Sequence, residues 1–267
     1  HEDIQMYAMY DIALLRHAYY ITGNQIYLSR AKEIMSSYLY WYSGGAAGEI
    51  ASDRTSYLHP WESWTLPRRL MAYIWFLTFL QQGEMEPNLV TDVLKEILMD
   101  QRLHVSRGSL WGGNWTQFMC GDGATIAAYF FEFKEAAAWY NDQVSRLYVG
   151  TSQLYPDGSS VEFTPTYTEG WIVWMGMIAK AIEDFHSPIV VEPPADVRQR
   201  YEKTIDWQLA MRKPDGRDVQ FNDSGDSRSP QWCGWISGIL FDYFGRDDLL
   251  WFDKGGQQGQ PPAICSF

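Results

Sequence analysis

Tyr167 lies in a sequence context that favours proton-transfer chemistry. It belongs to the run Glu162–Glu169 (EFTPTYTE), in which threonines on both sides of Pro165 are typical of the start of a helix. A helix that begins there would hold the phenol in its first turn, where the positive end of the helix dipole slightly favours ionisation of the hydroxyl. The plainer interpretation is a tyrosine that packs its ring against a neighbouring hairpin.

Asn114 is a second residue whose side chain could act on a ligand. It lies in the run Trp111–Trp115 (WGGNW), where two glycines allow another group to approach the backbone closely. A helix is predicted to begin near Thr116. Asn114 can therefore also be explained as a helix N-cap flanked by packing tryptophans.

A third candidate region holds His59 and Glu62 in the run HPWESW, followed by Arg69 on the succeeding predicted helix. Glu62 and Arg69 are separated by about two helical turns, so they can share a helix face. They are expected either to form a buried ion pair or to contact a substrate directly. His17, His59 and His104 are scattered and form no HxxxH pair, so a metal site is not expected.

A fourth candidate is the loop Phe221–Asp226 (FNDSGD), which carries Asp223 and Asp226. Turn chemistry accounts for this composition, and a calcium loop would need more acidic residues at alternate positions.

Asn114 and Asn222 each begin an Asn-x-Ser/Thr sequon, which would be glycosylated only in a eukaryotic secretory setting. The three cysteines show no zinc or disulfide spacing, and no cofactor is expected.

The composition limits the classes of protein and of partner. Of the 267 residues, 46% are hydrophobic and 16% aromatic, which indicates a globular protein with a substantial core. Lys and Arg number 21 against 33 Asp and Glu, and the resulting net charge of −12 argues against nucleic acid as a partner. Apolar runs such as Ala72–Leu80 are shorter than the ~20 residues of a membrane span.

Most of the chain has apolar residues at the period of an amphipathic helix, interrupted by short Gly, Pro and Asn segments. Short connections favour helix pairs stacked side by side, and no alternation of strands with helices indicates a parallel sheet. The predicted helices span Asp3–Ile21, Tyr27–Tyr42, Trp61–Gln81, Asn88–Leu103, Thr116–Phe131, Lys134–Leu154, Tyr167–Phe185, Asp196–Met211 and Gln231–Phe244.

An internal repeat refines the fold class, because Pro156–Phe163 (PDGSSVEF) recurs 58 residues later as Pro214–Phe221 (PDGRDVQF). In each copy Pro-Asp-Gly predicts a tight turn and Val-x-Phe a short extended segment. The spacing fits one helical hairpin per repeat. The expected fold is all-α: an incomplete α/α toroid of antiparallel hairpins, with short extended segments after the turns. Tyr167 and Asp223, which follow the two copies, would then lie at one rim.

The ends of the chain suggest a division into domain and linker. Residues 1–253 are predicted to form the catalytic toroid domain, and residues 254–267, rich in Gly, Gln and Pro, a linker toward a further domain. The chain begins at His1 without a signal-like segment, which is typical of a processed or trimmed chain.

Together these segments resemble the α/α toroid domain of the heparinase II/III-like polysaccharide lyases, a superfamily that includes oligo-alginate lyases. The resemblance covers nearly the whole chain. It rests on Thr22–Asn24 with the helix that follows, the Trp61–Arg69 region, Gly113–Trp115, Pro156–Gly158 with Glu162, Pro165 and Tyr167, and the loop Asn222–Asp226.

The resemblance implies a carbon–oxygen lyase that cleaves a uronic-acid polysaccharide by β-elimination. Asn114 matches the family's neutraliser of the uronate carboxylate, which must lose its charge before the C5 proton can leave. Tyr167 matches the catalytic tyrosine, expected to protonate the departing O4 and, for some substrates, to act as base. Other substrate contacts are expected from Trp111, Trp115 and Trp171, which would stack on sugar rings, and from Glu62, Arg69, Glu162 and Asp223.

Two departures from the family pattern affect the base. Trp115 follows Asn114 where many relatives have a histidine, so His59 or His104 is considered instead. Relatives also carry a C-terminal β-sandwich domain that contributes a catalytic histidine. The expected partners are therefore that domain and an acidic polysaccharide or oligosaccharide. The toroid alone is expected to turn over substrate weakly or not at all. The resemblance also implies a periplasmic or secreted location.

Three other functions remain open at this point. A glycoside hydrolase on the same scaffold would use two of Glu162, Glu169, Asp223 and Asp226 as acid and base. A non-catalytic polysaccharide-binding module would use the aromatic residues alone. A purely structural helical repeat would bind no acidic sugar.

Overall fold

The computed structural model describes residues 10–42, 65–83, 85–107, 114–150, 153–165, 167–168, 171–172, 186–211, 213, 219–220, 222, 242–253 and 259. The chain divides into two compact units, His1–Gly108 and Ser109–Phe267. The first contains α1 (Tyr10–Thr22), α2 (Ile26–Tyr42), α3 (Thr65–Leu80) and α4 (Pro87–Arg107). The second contains α5 (Asn114–Tyr129), α6 (Ala136–Gly150), α7 (Ala195–Ala210) and α8 (Asp247–Asp253).

Helices α1 and α2 form the antiparallel hairpin that Thr22-Gly23-Asn24 predicts. Gly23 has φ +67° and its N–H donates to the carbonyl of Tyr19 at 2.7 Å, which ends α1. The Asn24 carboxamide oxygen accepts the N–H of Ile26 at 3.0 Å and caps the start of α2. Both helices pack against α3, and α3 packs against α4.

The first unit contains a buried ion pair between α3 and α4. The guanidinium of Arg69 donates from Nε to Asp100 at 2.8 Å, and both side chains are 0% exposed. Tyr73 donates its hydroxyl to the same carboxylate at 3.3 Å. Burial, the largest single cause, lowers the pKa of Arg69, but the combined attraction of Asp100, Tyr38 and Tyr73 leaves that pKa raised. The sequence analysis paired Arg69 with Glu62, which lies outside the described residues; the structure instead pairs Arg69 with Asp100 of α4.

In the second unit α5 and α6 form a closely packed pair. Small residues such as Ala124, Ala127 and Ala128 are buried on α5, which allows the two helices to approach closely. Phe130 and Phe133 stack in the connecting turn with ring centroids 5.5 Å apart. A separate core cluster joins this unit's later segments and comprises Leu154, Trp171, Ile172, Val197, Tyr201, Ile205, Leu209 and Leu249.

The segment after α6 forms a small hairpin at the predicted Pro-Asp-Gly turn. Leu154 and Ser160 make an isolated antiparallel bridge, so α6 ends before Leu154, where the prediction had extended it. Gly158 has φ +92° and lies against α7, where a Cβ would come within 1.9 Å of the Lys203 carbonyl oxygen. The short extended segment is therefore at Ser159 and Ser160. Val161 to Phe163 make a further turn, closed by the Phe163 N–H and the Ser160 carbonyl at 2.9 Å.

The all-α prediction is confirmed for the described residues, in which no strand is formed beyond that isolated bridge. Pattern analysis missed α8. This helix has only seven residues, too few for a periodic signal, and it depends on tertiary contacts: Arg246 pairs with Asp248 at its start and with Asp206 of α7 at 2.7 Å. Within the predicted linker, Gly259 is the one described residue, and it lies against the backbone of Asp247 and Trp251.

We expect Asp100→Asn to lower the free energy of unfolding by about 3 kcal/mol or more, because it leaves the Arg69 charge buried without its carboxylate. The matched control is Asp92→Asn on the same helix, whose carboxylate pairs with Lys95 at 54% exposure and should contribute less than ~1 kcal/mol. Urea unfolding followed by circular dichroism measures both changes. Equal losses of unfolding free energy in the two variants would contradict a special role for the buried ion pair.

We expect Gly158→Ala to destabilise the second unit by about 2 kcal/mol more than Gly245→Ala. Both glycines have positive φ, so each substitution carries the backbone strain of ~1–2 kcal/mol. A Cβ at Gly245 meets nothing within 4 Å, whereas one at Gly158 would displace the backbone of α7. Thermal unfolding midpoints of the two variants distinguish these cases, and similar midpoints would show that the turn separates from α7 at little cost.

Candidate functional site

Asn114 is the first residue of α5, which confirms that a helix begins in this run. Its backbone therefore lies at the positive end of the helix; its side chain is outside what the structure describes. Trp115 is 37% exposed, whereas the next two residues, Thr116 and Gln117, are buried. Neither polar atom of the Gln117 side chain has a hydrogen-bond partner among the described residues.

Tyr167 is half-buried in the first turn of a helical segment, as the Thr-Pro-Thr pattern predicts. Pro165 is the first helical residue of this segment. The N–H and the hydroxyl of Thr168 both donate to the carbonyl of Thr164 at 2.9 Å. The hydroxyls of Ser160 and Thr168 share a hydrogen bond at 3.0 Å, which ties this turn to the preceding hairpin. The orientation of the helix start is therefore set by buried contacts.

The segments that carry Asn114 and Tyr167 meet at the end of α6. A side chain on Gly150 would begin 3.0 Å from the Gln117 amide nitrogen, 3.6 Å from the Thr116 methyl group and 3.8 Å from the Trp171 ring. Gln117 is one helical turn after Asn114, and Trp171 follows Tyr167 by four residues in the sequence. The first turn of α5 and the helical segment of Tyr167 are therefore packed around one glycine.

Asn222, the one described residue of the loop expected to carry Asp223, contacts the turn that precedes Tyr167. The Asn222 carboxamide donates to the carbonyls of Phe163 at 2.9 Å and of Glu162 at 3.4 Å. These contacts connect the second repeat to the first, because Asn222 directly follows its Val-x-Phe segment. Glu162 is half-buried on the same turn. Asp223 itself lies outside the described residues.

Burial changes the interpretation of two predicted substrate contacts. Trp171 is 0% exposed and belongs to the core cluster, so its ring has no face open to a sugar. Arg69 is also 0% exposed and bound to Asp100, which removes it from contact with a ligand in this conformation. Both predictions rested on residue type and spacing, which do not report which neighbours cover a side chain.

The remaining candidates divide into buried residues and residues that are not described. His104, considered as a base, is 4% exposed on α4. His59, Glu62 and Trp111 lie outside the described residues.

Among the residues that are described, His, Cys, Asp and Glu form no group of three suited to a metal ion; the absence of a cofactor stays a prediction. Burial raises the pKa of the Cys120 thiol to about 12, so this residue is protonated at neutral pH.

The sequence analysis missed several residues that shape these regions. Asp100 follows Glu96 and precedes His104 at four-residue spacing on α4, a pattern that could have identified a buried polar face. Gln117 shares a helix face with Asn114 by its three-residue spacing. Tyr155 and Phe163, which stack with centroids 5.1 Å apart, had no sequence signal because their contact depends on the turn between them.

The helices of the described residues do not include one with the length and apolar character needed to cross a membrane. No curated protein sequence matches this chain closely enough to count as a relative.

Solved structures with the same fold come from heparinases. A heparan sulfate lyase HepC mutant from Pedobacter heparinus is similar with a TM-score of 0.75 and 19% identity, over 97% of this chain and 40% of its own. Heparinase III is similar with a TM-score of 0.75 and 17% identity, again over 97% and 40% of the two chains. A further heparinase III gene product has a TM-score of 0.72 and 20% identity, over 94% and 41%.

These likenesses confirm the predicted fold class, the all-α, α/α toroid type. The chain spans about two fifths of the length of the solved structures that it matches. The family model described as Heparinase II/III N-terminus matches residues 4–251. The chain therefore belongs to the heparinase II/III N-terminus family.

Proposed function

We propose that this chain is the N-terminal part of a polysaccharide lyase that cleaves a uronic-acid polysaccharide, of glycosaminoglycan or alginate type, by β-elimination. Family membership and the names of the similar structures, a heparan sulfate lyase and heparinases, support this class of reaction. The observation that carries the proposal is the packing around Gly150, because it brings the segments of Asn114 and Tyr167 together.

In the proposed reaction Asn114 acts on the substrate carboxylate. The C5 proton of a uronate is weakly acidic because the adjacent carboxylate is already negative. The Asn114 amide and the positive end of α5 would stabilise the extra charge that develops on that carboxylate. The half-exposed indole of Trp115 would contact a sugar ring beside it.

Tyr167 would transfer the proton at the leaving oxygen. A base removes the C5 proton, the electron pair forms the C4–C5 double bond, and the C4–O4 bond breaks as Tyr167 protonates O4. The start of the helical segment at Pro165 holds the phenol near the positive helix end. For a substrate of the opposite stereochemistry at C5, the same phenol would also serve as base.

The base and the remaining domain are part of the proposal. Burial of His104 at 4% exposure does not favour it as a base, so His59 or a histidine of a C-terminal β-sandwich domain is proposed. In that arrangement residues 1–253 form the catalytic toroid and 254–267 lead to the partner domain. A periplasmic or secreted location would give the enzyme access to its polymer. The net charge of −12 is compatible with a polyanion because distant charges are screened within about 8–10 Å.

We expect Tyr167→Phe and Asn114→Ala each to lower kcat by about two orders of magnitude or more, because each removes a group that acts in the transition state. The measurement is the ultraviolet absorbance of unsaturated product from heparan sulfate, hyaluronan, chondroitin and alginate, with the full-length gene product. Matched controls are Tyr20→Phe, an exposed tyrosine of α1, and Asn141→Ala, an exposed asparagine of α6.

The same assay tests the other functions. Reducing ends without unsaturated product would indicate a hydrolase that uses carboxyl groups such as Glu162. Binding without either product would indicate a non-catalytic module. Wild-type turnover in both variants would exclude the roles assigned to Asn114 and Tyr167.

A further inference from the structure

A pocket of about 330 Å³ lies between the hairpin after α6 and the exposed side of α7. The hairpin contributes an aromatic ring and a proline, and α7 contributes an amide and two cations. Its lining residues are Leu154, Tyr155, Pro156, Gln199, Arg200 and Lys203. Tyr167 is not among these described lining residues.

The wall formed by the hairpin is preorganised. Gly158 lies directly on the α7 backbone at Lys203 and Thr204, which fixes the distance between the turn and the helix. The Tyr155 N–H donates to the Ser159 carbonyl at 2.8 Å, and the Gly158 N–H donates to the Tyr155 carbonyl at 2.9 Å. A ligand would therefore meet a wall whose backbone is already in place.

Tyr155 presents an aromatic surface to solvent at this pocket. It stacks on Phe163 with an interplanar angle of 23°, yet Tyr155 is 44% and Phe163 43% exposed. Phe163 has φ +45°, an uncommon conformation for a side chain of this size, and the Asn222 amide bound to its carbonyl stabilises it. Two large rings thus remain outside the core, where a flat apolar face suits a sugar ring.

The opposite wall is positively charged. Arg200 and Lys203 are exposed and lie three residues apart on one face of α7. Lys203 contacts Asp206 at 3.3 Å, but Asp206 also accepts a shorter bond from Arg246 at 2.7 Å. Asp157, the nearest acid on the hairpin, turns its carboxylate to the N–H and hydroxyl of Ser159, and these bonds lower the pKa of Asp157. Asp206 is therefore shared between Lys203 and Arg246, and the Asp157 carboxylate is bonded to Ser159.

We infer that this pocket binds an acidic saccharide unit, with its ring face on Tyr155 and its carboxylate or sulfate at Arg200 and Lys203. The identity of the natural ligand rests on the proposed function, because an acidic polymer bound by Tyr167 would supply such units. Phe163 precedes Tyr167 by four residues, so the pocket lies on the hairpin that leads into the proposed catalytic segment. The pocket then acts as an outer binding position for long chains.

The test measures binding of size-defined heparan sulfate and alginate hexasaccharides by calorimetry, in the full-length gene product with Tyr167→Phe to prevent turnover. Arg200→Gln with Lys203→Gln, and separately Tyr155→Ala, should each weaken binding by about tenfold. Tyr155→Phe should retain affinity because the ring face remains. The matched control is Arg30→Gln with Lys95→Gln, two exposed cations with carboxylate partners three residues away.

A neutral cellohexaose and inorganic sulfate complete the set of probes. Similar binding of cellohexaose, or full competition by inorganic sulfate at equal concentration, would overturn the assignment to an acidic saccharide. Unchanged affinity in both pocket variants would overturn it as well. Comparison of the two acidic hexasaccharides separates recognition of sulfate from recognition of carboxylate, and either result supports the assignment.

Kinetics distinguish this inference from the proposed function. With Tyr167 intact, the pocket variants should raise KM for long chains by about tenfold and leave kcat unchanged. If neither the wild-type protein nor any variant yields unsaturated product but the pocket variants still lose affinity, the lyase proposal fails and the assignment of the pocket stands. If product forms and the pocket variants bind and cleave normally, the pocket alone fails.

Discussion

The contact between Gly158 and the backbone of α7 leaves no room for a side chain, and the hairpin after α6 depends on it. With the turn held there, the bridge between Leu154 and Ser160 can form, and Ser160 can bond Thr168 in the next helical segment. Tyr167 is adjacent to Thr168, so these contacts help to hold its backbone in place. One glycine thus connects the packing of α7 with the proposed catalytic segment.

Buried polar groups have different consequences in the two units. Arg69 and Asp100 form a buried ion pair between α3 and α4, so removal of either one would leave an uncompensated buried charge in the first unit. Gln117 is buried without a described hydrogen-bond partner, which costs about 1–3 kcal/mol for an amide. It lies one turn from Asn114, in the region where α5 meets the segment of Tyr167.

Local charge matters more for ligand binding than the total charge. The chain carries a net charge of −12, yet Arg200 and Lys203 place two cations beside an exposed aromatic pair. Ion pairs such as Arg246 with Asp206 and Asp248 hold nearby carboxylates and so preserve that local potential. The proposed binding of an acidic ligand would therefore depend on this local arrangement and not on the total charge.

The sequence by itself determined the local structure: the α1–α2 hairpin at Thr22-Gly23-Asn24, the turn at Pro156-Asp157-Gly158, and the helix starts at Asn114 and Pro165. These follow from capping, turn propensity and helical periodicity, which act within a few residues. Only the tertiary structure decided that Arg69 pairs with Asp100, that Trp171 is buried and that Tyr155 is exposed on Phe163. Periodicity shows which residues share a face, but the segment that covers that face comes from a distant part of the chain.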